Sequence, residues 1–261
     1  MNLDFETLDV RIEKPFAYVT LNRPEVKNAM NSQMVLDITA AFEALRDNRE
    51  VRAIVLAGAG GTFCAGGDIK ELAAAFQGGE LNSNTTALDT MLRTVATAPQ
   101  VVVAKVEGAA MGGGFGLVCV SDIATASATA VFGMPEVRLG LVPALISPYV
   151  IQRVGLTRAR ELMLSGRRFD GVSAHEYGIL HDVCPAEVLN VSLKRILDDL
   201  RQCSPEALAA CKQLIFTVID QSLDESVDYR AGLLNELRRS ADGQEGMMAF
   251  VQKRPPKWTQ G

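Results

Sequence analysis

Two glycine-rich runs, each set between an apolar stretch and an amphipathic one, constrain this chain more than anything else in it. The first, Gly58-Ala59-Gly60-Gly61-Thr62-Phe63-Cys64-Ala65-Gly66-Gly67-Asp68, comes after Val51-Arg52-Ala53-Ile54-Val55-Leu56-Ala57 and opens onto Ile69-Lys70-Glu71-Leu72. The second, Gly108-Ala109-Ala110-Met111-Gly112-Gly113-Gly114-Phe115-Gly116, comes after Val101-Val102-Val103-Ala104 and leads into Leu117-Val118-Cys119-Val120. Short apolar runs ended by glycine read as buried strands, and the residues after each loop can continue as helix. Taken singly, such a loop is a tight turn with no ligand, because glycine marks turns far more often than sites. A pair of them is more specific. Each presents backbone N–H groups at a helix start, where the dipole favours negative charge. Two such donors are what an oxyanion hole requires. Neither loop fits a nucleotide-phosphate pattern: Phe63 stands where a G-x-G-x-x-G run starting at Gly58 needs its third glycine, and there is no Walker lysine.

Composition narrows the setting. Of 261 residues, 48% are hydrophobic and 22% charged, ordinary values for a globular chain with a sizeable core. A net charge of -5 argues against a nucleic-acid or anionic-membrane surface. Five cysteines, an odd number without a CxxC pair, argue against disulfides and zinc and fit a reducing compartment. The acidic start Met1-Asn2-Leu3-Asp4-Phe5-Glu6 lacks the basic and apolar regions of a signal peptide. Val101 to Val120 carries Lys105, Glu107 and five glycines, so it is a poor membrane span. The expectation is a cytoplasmic protein.

Along the chain, Val10–Glu13 and Phe16–Leu21 alternate around Lys14-Pro15 as a hairpin does. Asn22-Arg23-Pro24-Glu25 is turn chemistry. Met34, Ile38, Ala41, Phe42 and Leu45 repeat at helical spacing behind an N-cap at Asn31 or Ser32. Pro99 stops a helix within Leu81–Leu92 before the next strand, and strands are expected at Ser121–Ala126 and Val131-Phe132. Gly133-Met134-Pro135-Glu136 is a turn that places a carboxylate just after a proline. Ser147–Val154 and Thr157–Leu164 read as helices split by Gly155. From about residue 192 the pattern is wholly helical, with Pro205 near a start, runs at Leu208–Leu223 and Asp228–Arg239, and a basic tail through Lys253.

Phe63–Leu72, Gly108–Gly114 and Phe132-Gly133-Met134-Pro135-Glu136-Val137-Arg138-Leu139-Gly140 resemble the two signature loops and the catalytic-glutamate segment of the crotonase (enoyl-CoA hydratase/isomerase) superfamily. The match runs from Leu21-Asn22-Arg23-Pro24 to Phe250-Val251-Gln252-Lys253-Arg254, nearly the whole chain. The resemblance implies an α/β fold, a spiral of ββα units over 1–195 carrying the acyl-CoA site, then a helical trimerisation region over 196–261, assembled as a homotrimer or a dimer of trimers. It also implies that the amides of Gly67 and Gly113 hold the thioester oxygen of an acyl-CoA and stabilise its enolate. Coenzyme A is then part of the substrate, with no separate cofactor and no metal. Ala65, Asp68, Ile69, Gly112, Gly116, Pro143 and Lys253 fall at substrate-binding positions, with the adenine along Ala65 and Ile69 and Lys253 reaching coenzyme A from a neighbouring subunit.

One departure matters. Typical hydratases of the superfamily carry two glutamates; here the second falls on Glu136 and the first on Gly116. Lone-glutamate members include Δ3-Δ2 enoyl-CoA isomerases, which shuttle one proton. The segment Gly140–Val150, with Pro143-Ala144-Leu145-Ile146-Ser147-Pro148, is similar instead to the branch of 3-methylglutaconyl-CoA and isohexenylglutaconyl-CoA hydratases. The expectation is hydration of a branched or bulky 2-enoyl-CoA, with Gly116 leaving room for a branch or a water; isomerisation is the alternative. A non-catalytic binding protein is the third reading, and the acidic charge counts against RNA.

Each site residue also has an ordinary explanation. Glu136 could be a solvated turn acid and Lys253 a solvated cation. Asp68 reads better as an N-cap than as an acid. Arg138 could meet a distal substrate carboxylate or only solvent. Cys64 reads as packing, and His175 and His181 as surface residues far from any triad or metal pair.

Overall fold

The computed structural model describes residues 3–78 and 81–259. A hairpin of β1 (Leu8–Glu13) and β2 (Phe16–Leu21) leads into α1 (Ser32–Arg46), β3 (Ala53–Gly58), α2 (Ile69–Gly78), α3 (Leu81–Ala96) and β4 (Val101–Val106). Next come β5 (Ala109–Met111), α4 (Gly113–Val120), β6 (Ile123–Ser127), β7 (Val131–Gly133), α5 (Ser147–Ser165), β8 (Arg168–Asp170), α6 (Gly171–Glu176) and β9 (Asp182–Cys184). Four helices close the chain: α7 (Leu189–Arg201), α8 (Pro205–Val218), α9 (Val227–Arg239) and α10 (Ala241–Val251). The strands form two sheets, one ordered β1-β2-β3-β4-β6-β9, the other β5-β7-β8. Beyond the antiparallel β1–β2 hairpin the large sheet is parallel, so every return passes through a helical crossover.

Both faces of the large sheet are covered, which is why β3 and β4 are apolar at every position from Ala53 to Leu56 and from Val101 to Ala104. Ile54, Leu56, Val102 and Ala104 point into the main core with Met34, Ile38 and Phe42 of α1 and Met91, Leu92 and Val95 of α3. Ala53, Val55, Val101 and Val103 point the other way, onto Leu193, Leu197 and Leu200 of α7. The boundary expected near residue 195 therefore falls inside a helix that belongs to the core, and the outlying helices begin at α8. Asn31 caps α1 by accepting the Met34 N–H at 3.0 Å, as its position suggested. The break at Gly155 is also present: with φ 72° and ψ 165° it interrupts the run that makes up α5.

The helical region is tied down by an ion pair. Lys212 of α8, 8% exposed, donates to Asp122 Oδ2 at 2.7 Å and to the Gln100 carbonyl at 3.1 Å, while the same Asp122 oxygen accepts the Val102 N–H at 2.7 Å. Burial pushes the Asp122 carboxyl up and the Lys212 amine down, more than their attraction restores. Such a pair holds geometry more than it adds stability, but removing one partner strands the other. Lys212→Met should therefore cost roughly 3–5 kcal/mol near neutral pH. A raised native carboxyl pKa favours the protonated form, so stability lost at neutral pH returns as pH falls and Asp122 takes a proton. Denaturant titrations of wild type and variant across pH 5 to 8 should show the gap narrowing toward acid.

Candidate functional site

The first glycine loop leaves the end of β3 and runs beside β5. Cys64 bridges Ala110 in parallel register, through Cys64 N–H to the Ala109 carbonyl at 2.8 Å and Met111 N–H to the Cys64 carbonyl at 3.0 Å. The two segments stay close beyond that bridge, since a Cβ on Gly112 would lie 3.9 Å from Gly66 Cα, one residue before Gly113 on one segment and Gly67 on the other. The approach is close: a Cβ on Gly114 would lie 2.6 Å from Cys64 Cβ and 2.7 Å from its carbonyl oxygen, so only glycine lets the two segments touch. Cys64 is fully buried and burial pushes its thiol up to about 11, which makes it packing and not a nucleophile.

A loop ahead of α1 holds the other side. Asn28, fully buried, donates to the carbonyls of Ala59 and Thr62 at 2.9 and 2.6 Å and accepts the Arg23 N–H at 2.9 Å. Arg23 grips the Ala29 carbonyl at 2.6 Å and Asp68 Oδ2 at 3.3 Å. Asp68 caps α2 as expected, accepting the Lys70 N–H at 3.2 Å through its second oxygen. Glu71 bonds Ser32 at the start of α1. These contacts fix the first loop and leave the amides of Gly67, which is exposed, and Gly113, half-buried, without an acceptor among the described residues. Gly113 opens α4, where a free N–H is inherent to the helix.

Glu136 arrives by strand pairing. β7 runs parallel to β5, Met111 faces Gly133, and Gly112 N–H donates to the Gly133 carbonyl at 3.0 Å. The chain then turns through a short helix, Pro135–Leu139, that sets the carboxylate over Gly112. A Cβ on Gly112 would stand 3.1 Å from Glu136 Oε1, and Gly112 itself has φ 49°. Glu136 Oε2 is buried with no hydrogen-bond partner among the described residues. Burial raises the Glu136 carboxyl pKa, and its own backbone N–H only partly offsets this. Phe115, Phe132 and Phe169, with ring centroids 5.9 to 6.3 Å apart, pack α4 against β7 and β8 beneath.

The room expected at Gly116 is absent. A Cβ there would overlap Ile146 Cγ2, with Leu92 Cδ2 3.7 Å away, and Ile146 is 3% exposed. The position where a first glutamate would stand is thus filled by hydrocarbon, one helical turn from Gly112. Pro143 is buried, whereas Val142 beside it is 70% exposed. Ala65 and Ile69 are exposed next to Gly67, and Lys253 is exposed in the tail. Arg138 donates to the Ser165 carbonyl at 3.3 Å, closing the end of α5. Both histidines are exposed, and His181 Nδ1 accepts the Ala124 N–H at 3.1 Å. The expected pocket wall from Ala73 to Leu92 includes residues 79–80, which lie outside the described residues; Met91 and Leu92 belong to the core. Arg23, Asn28, Met30 and Ile146 were missed. Asn28, with φ 55°, follows the short helix Pro24–Val26 that the Asn22-Arg23-Pro24-Glu25 turn opens, and that turn chemistry was the available signal.

A strand-and-helix spiral with two free backbone amides beside one half-buried carboxylate is the arrangement of the crotonase superfamily. The enoyl-CoA hydratase/isomerase family model matches residues 11–261, and the chain belongs to that family. It is 33% identical over 258 residues to a probable enoyl-CoA hydratase, echA8, of Mycobacterium bovis, covering 98% of this chain and 99% of the relative. A probable enoyl-CoA hydratase of Rhizobium meliloti is 34% identical, covering 97% of each. Among solved structures, Pseudomonas aeruginosa AtuE superposes with a TM-score of 0.95 at 45% identity, over 98% of this chain and 100% of that one.

Glu136→Gln tests the carboxylate. If Glu136 moves the proton, turnover of the chain's enoyl-CoA substrate should fall by about 10²–10⁴-fold. Because the native pKa is raised, ionised Glu136 costs stability above the ordinary carboxyl range. The variant should therefore melt at or above wild type at neutral pH, and the two curves should meet in acid.

Proposed function

We propose that the chain hydrates a branched or bulky 2-enoyl-CoA of the 3-methylglutaconyl type, with Glu136 as its lone acid/base. The observation that carries the reading is the Glu136 carboxylate, with one oxygen unpaired and its pKa raised, set at the same strand ends as the Gly67 and Gly113 amides. The thioester oxygen accepts from both amides. Glu136 takes a proton from water as the water oxygen bonds to Cβ, and the π electrons move onto the thioester oxygen as an enolate. The enolate collapses, Cα takes the same proton from Glu136, and the carboxylate is restored. Two fixed donors stabilise the enolate by about 3 kcal/mol each in a water-poor site. The hydratase names of its relatives agree with water addition.

Isomerisation is the second reading, and Ile146 favours it. Over Gly116 the nearest atoms, from Ile146 and Leu92, are hydrocarbon and offer a water no hydrogen bond. One carboxylate suffices to move a proton between Cα and Cγ. A homotrimer, or a dimer of trimers, completes the proposal: Ile215, Ile219, Leu223, Phe250 and Val251, on and around α8 and α10, are between 54% and 82% exposed, and a further copy would cover them.

The two activities separate on one panel. With 3-methylglutaconyl-CoA and crotonyl-CoA, hydration removes the absorbance of the conjugated thioester; with 3-enoyl-CoAs, isomerisation creates it. Turnover of the branched substrate well above crotonyl-CoA supports the proposal. Loss of no 2-enoyl band, with gain of one from 3-enoyl substrates, would replace it with the isomerase. Light scattering should give three or six times the 28.1 kDa chain mass.

A further inference from the structure

We infer that Met30 is the positioning residue that sets the spacing of the two oxyanion amides; this rests on reading Gly67 and Gly113 as those donors. A backbone N–H has no rotamer of its own, so its aim is fixed by whatever holds its peptide. Both N–H groups must also lie about 2.7–3.1 Å from one oxygen.

Met30 holds both. Its N–H donates to the Gly66 carbonyl at 2.7 Å, and its carbonyl accepts from the Asp68 N–H at 2.9 Å. Gly67 lies between those two bonds, bridged to Met30 in parallel register. The Met30 side chain then packs beside Gly113 itself: the atoms nearest the position of a Gly113 Cβ are Met30 Cε at 3.6 Å and Sδ at 3.8 Å. Its backbone bears on one donor and its thioether on the other. Met30 is 7% exposed, so its reach is packed and not free. The residue itself is anchored from both sides, with Arg23 on the Ala29 carbonyl and Asn31 capping α1. Its contribution is distance. An unbranched side chain reaches across such a gap, whereas a β-branched or truncated one leaves Gly113 unsupported.

The probe is acetoacetyl-CoA, a 3-ketoacyl thioester whose enolate absorbs in the near ultraviolet when two donors hold its oxygen. Wild type, Met30→Ala and Met30→Leu are titrated with it and assayed for turnover of the enoyl-CoA substrate. Met30→Ala should bind with a dissociation constant within about threefold of wild type, show a weakened enolate band and lose about 10- to 100-fold in kcat with little change in KM. Met30→Leu, which restores most of the reach, should recover both. Met30→Val replaces Met30→Ala if the latter does not fold, with the same outcome expected. A purely packing role would lower the melting temperature and leave the band and the kcat of the folded fraction unchanged; that result overturns the inference alone. If wild type binds the probe without any enolate band, the oxyanion reading falls and this inference with it.

Discussion

The close passage of the Cys64 strand against the Gly112–Gly114 turn is the contact on which the rest of the site depends. It is made by backbone, it tolerates no Cβ at Gly114, and it brings Gly66 and Gly112, the residues just before Gly67 and Gly113, close together. Side-chain donors could be placed almost anywhere and would need ordering on each encounter. Amides locked into two parallel segments need none, which is the advantage of a preorganised dipole over a mobile one. The third partner obeys the same rule. Glu136 is delivered by pairing of β7 with β5, so all three functional groups sit at the ends of neighbouring extended segments.

Much of this was legible in the amino-acid order because the constraint is local. Glycine after an apolar run, repeated once, marks a turn that either packs tightly or meets a ligand, and here the two loops pack tightly against each other. The Asn31 cap, the Gly155 break and the hairpin around Lys14-Pro15 are likewise settled within a few residues. What stayed hidden depends on contacts distant in sequence. Gly116 looks like open space until Ile146, thirty residues on, is found to fill it. Leu193, Leu197 and Leu200 have the same helical spacing whether they face a sheet or other helices, so the sequence placed a boundary where the structure has a core helix. β5, three residues long, is too short for periodicity to separate from loop.

Two half-buried carboxylates show how the fold distinguishes structure from chemistry. Asp122 and Glu136 are both pushed toward their protonated forms by burial. Asp122 receives an ammonium and a backbone N–H, and those bonds join the sheet to α8. Glu136 has no ammonium and only its own backbone N–H, and its Oε2 has no hydrogen-bond partner among the described residues. An unpaired polar atom is among the larger local costs a fold can carry. Over Gly116 the nearest atoms are hydrocarbon from Ile146 and Leu92. Hydrocarbon from Ile146 and Leu92 on one side and two amides without an acceptor among the described residues on the other give Glu136 surroundings unlike those of Asp122.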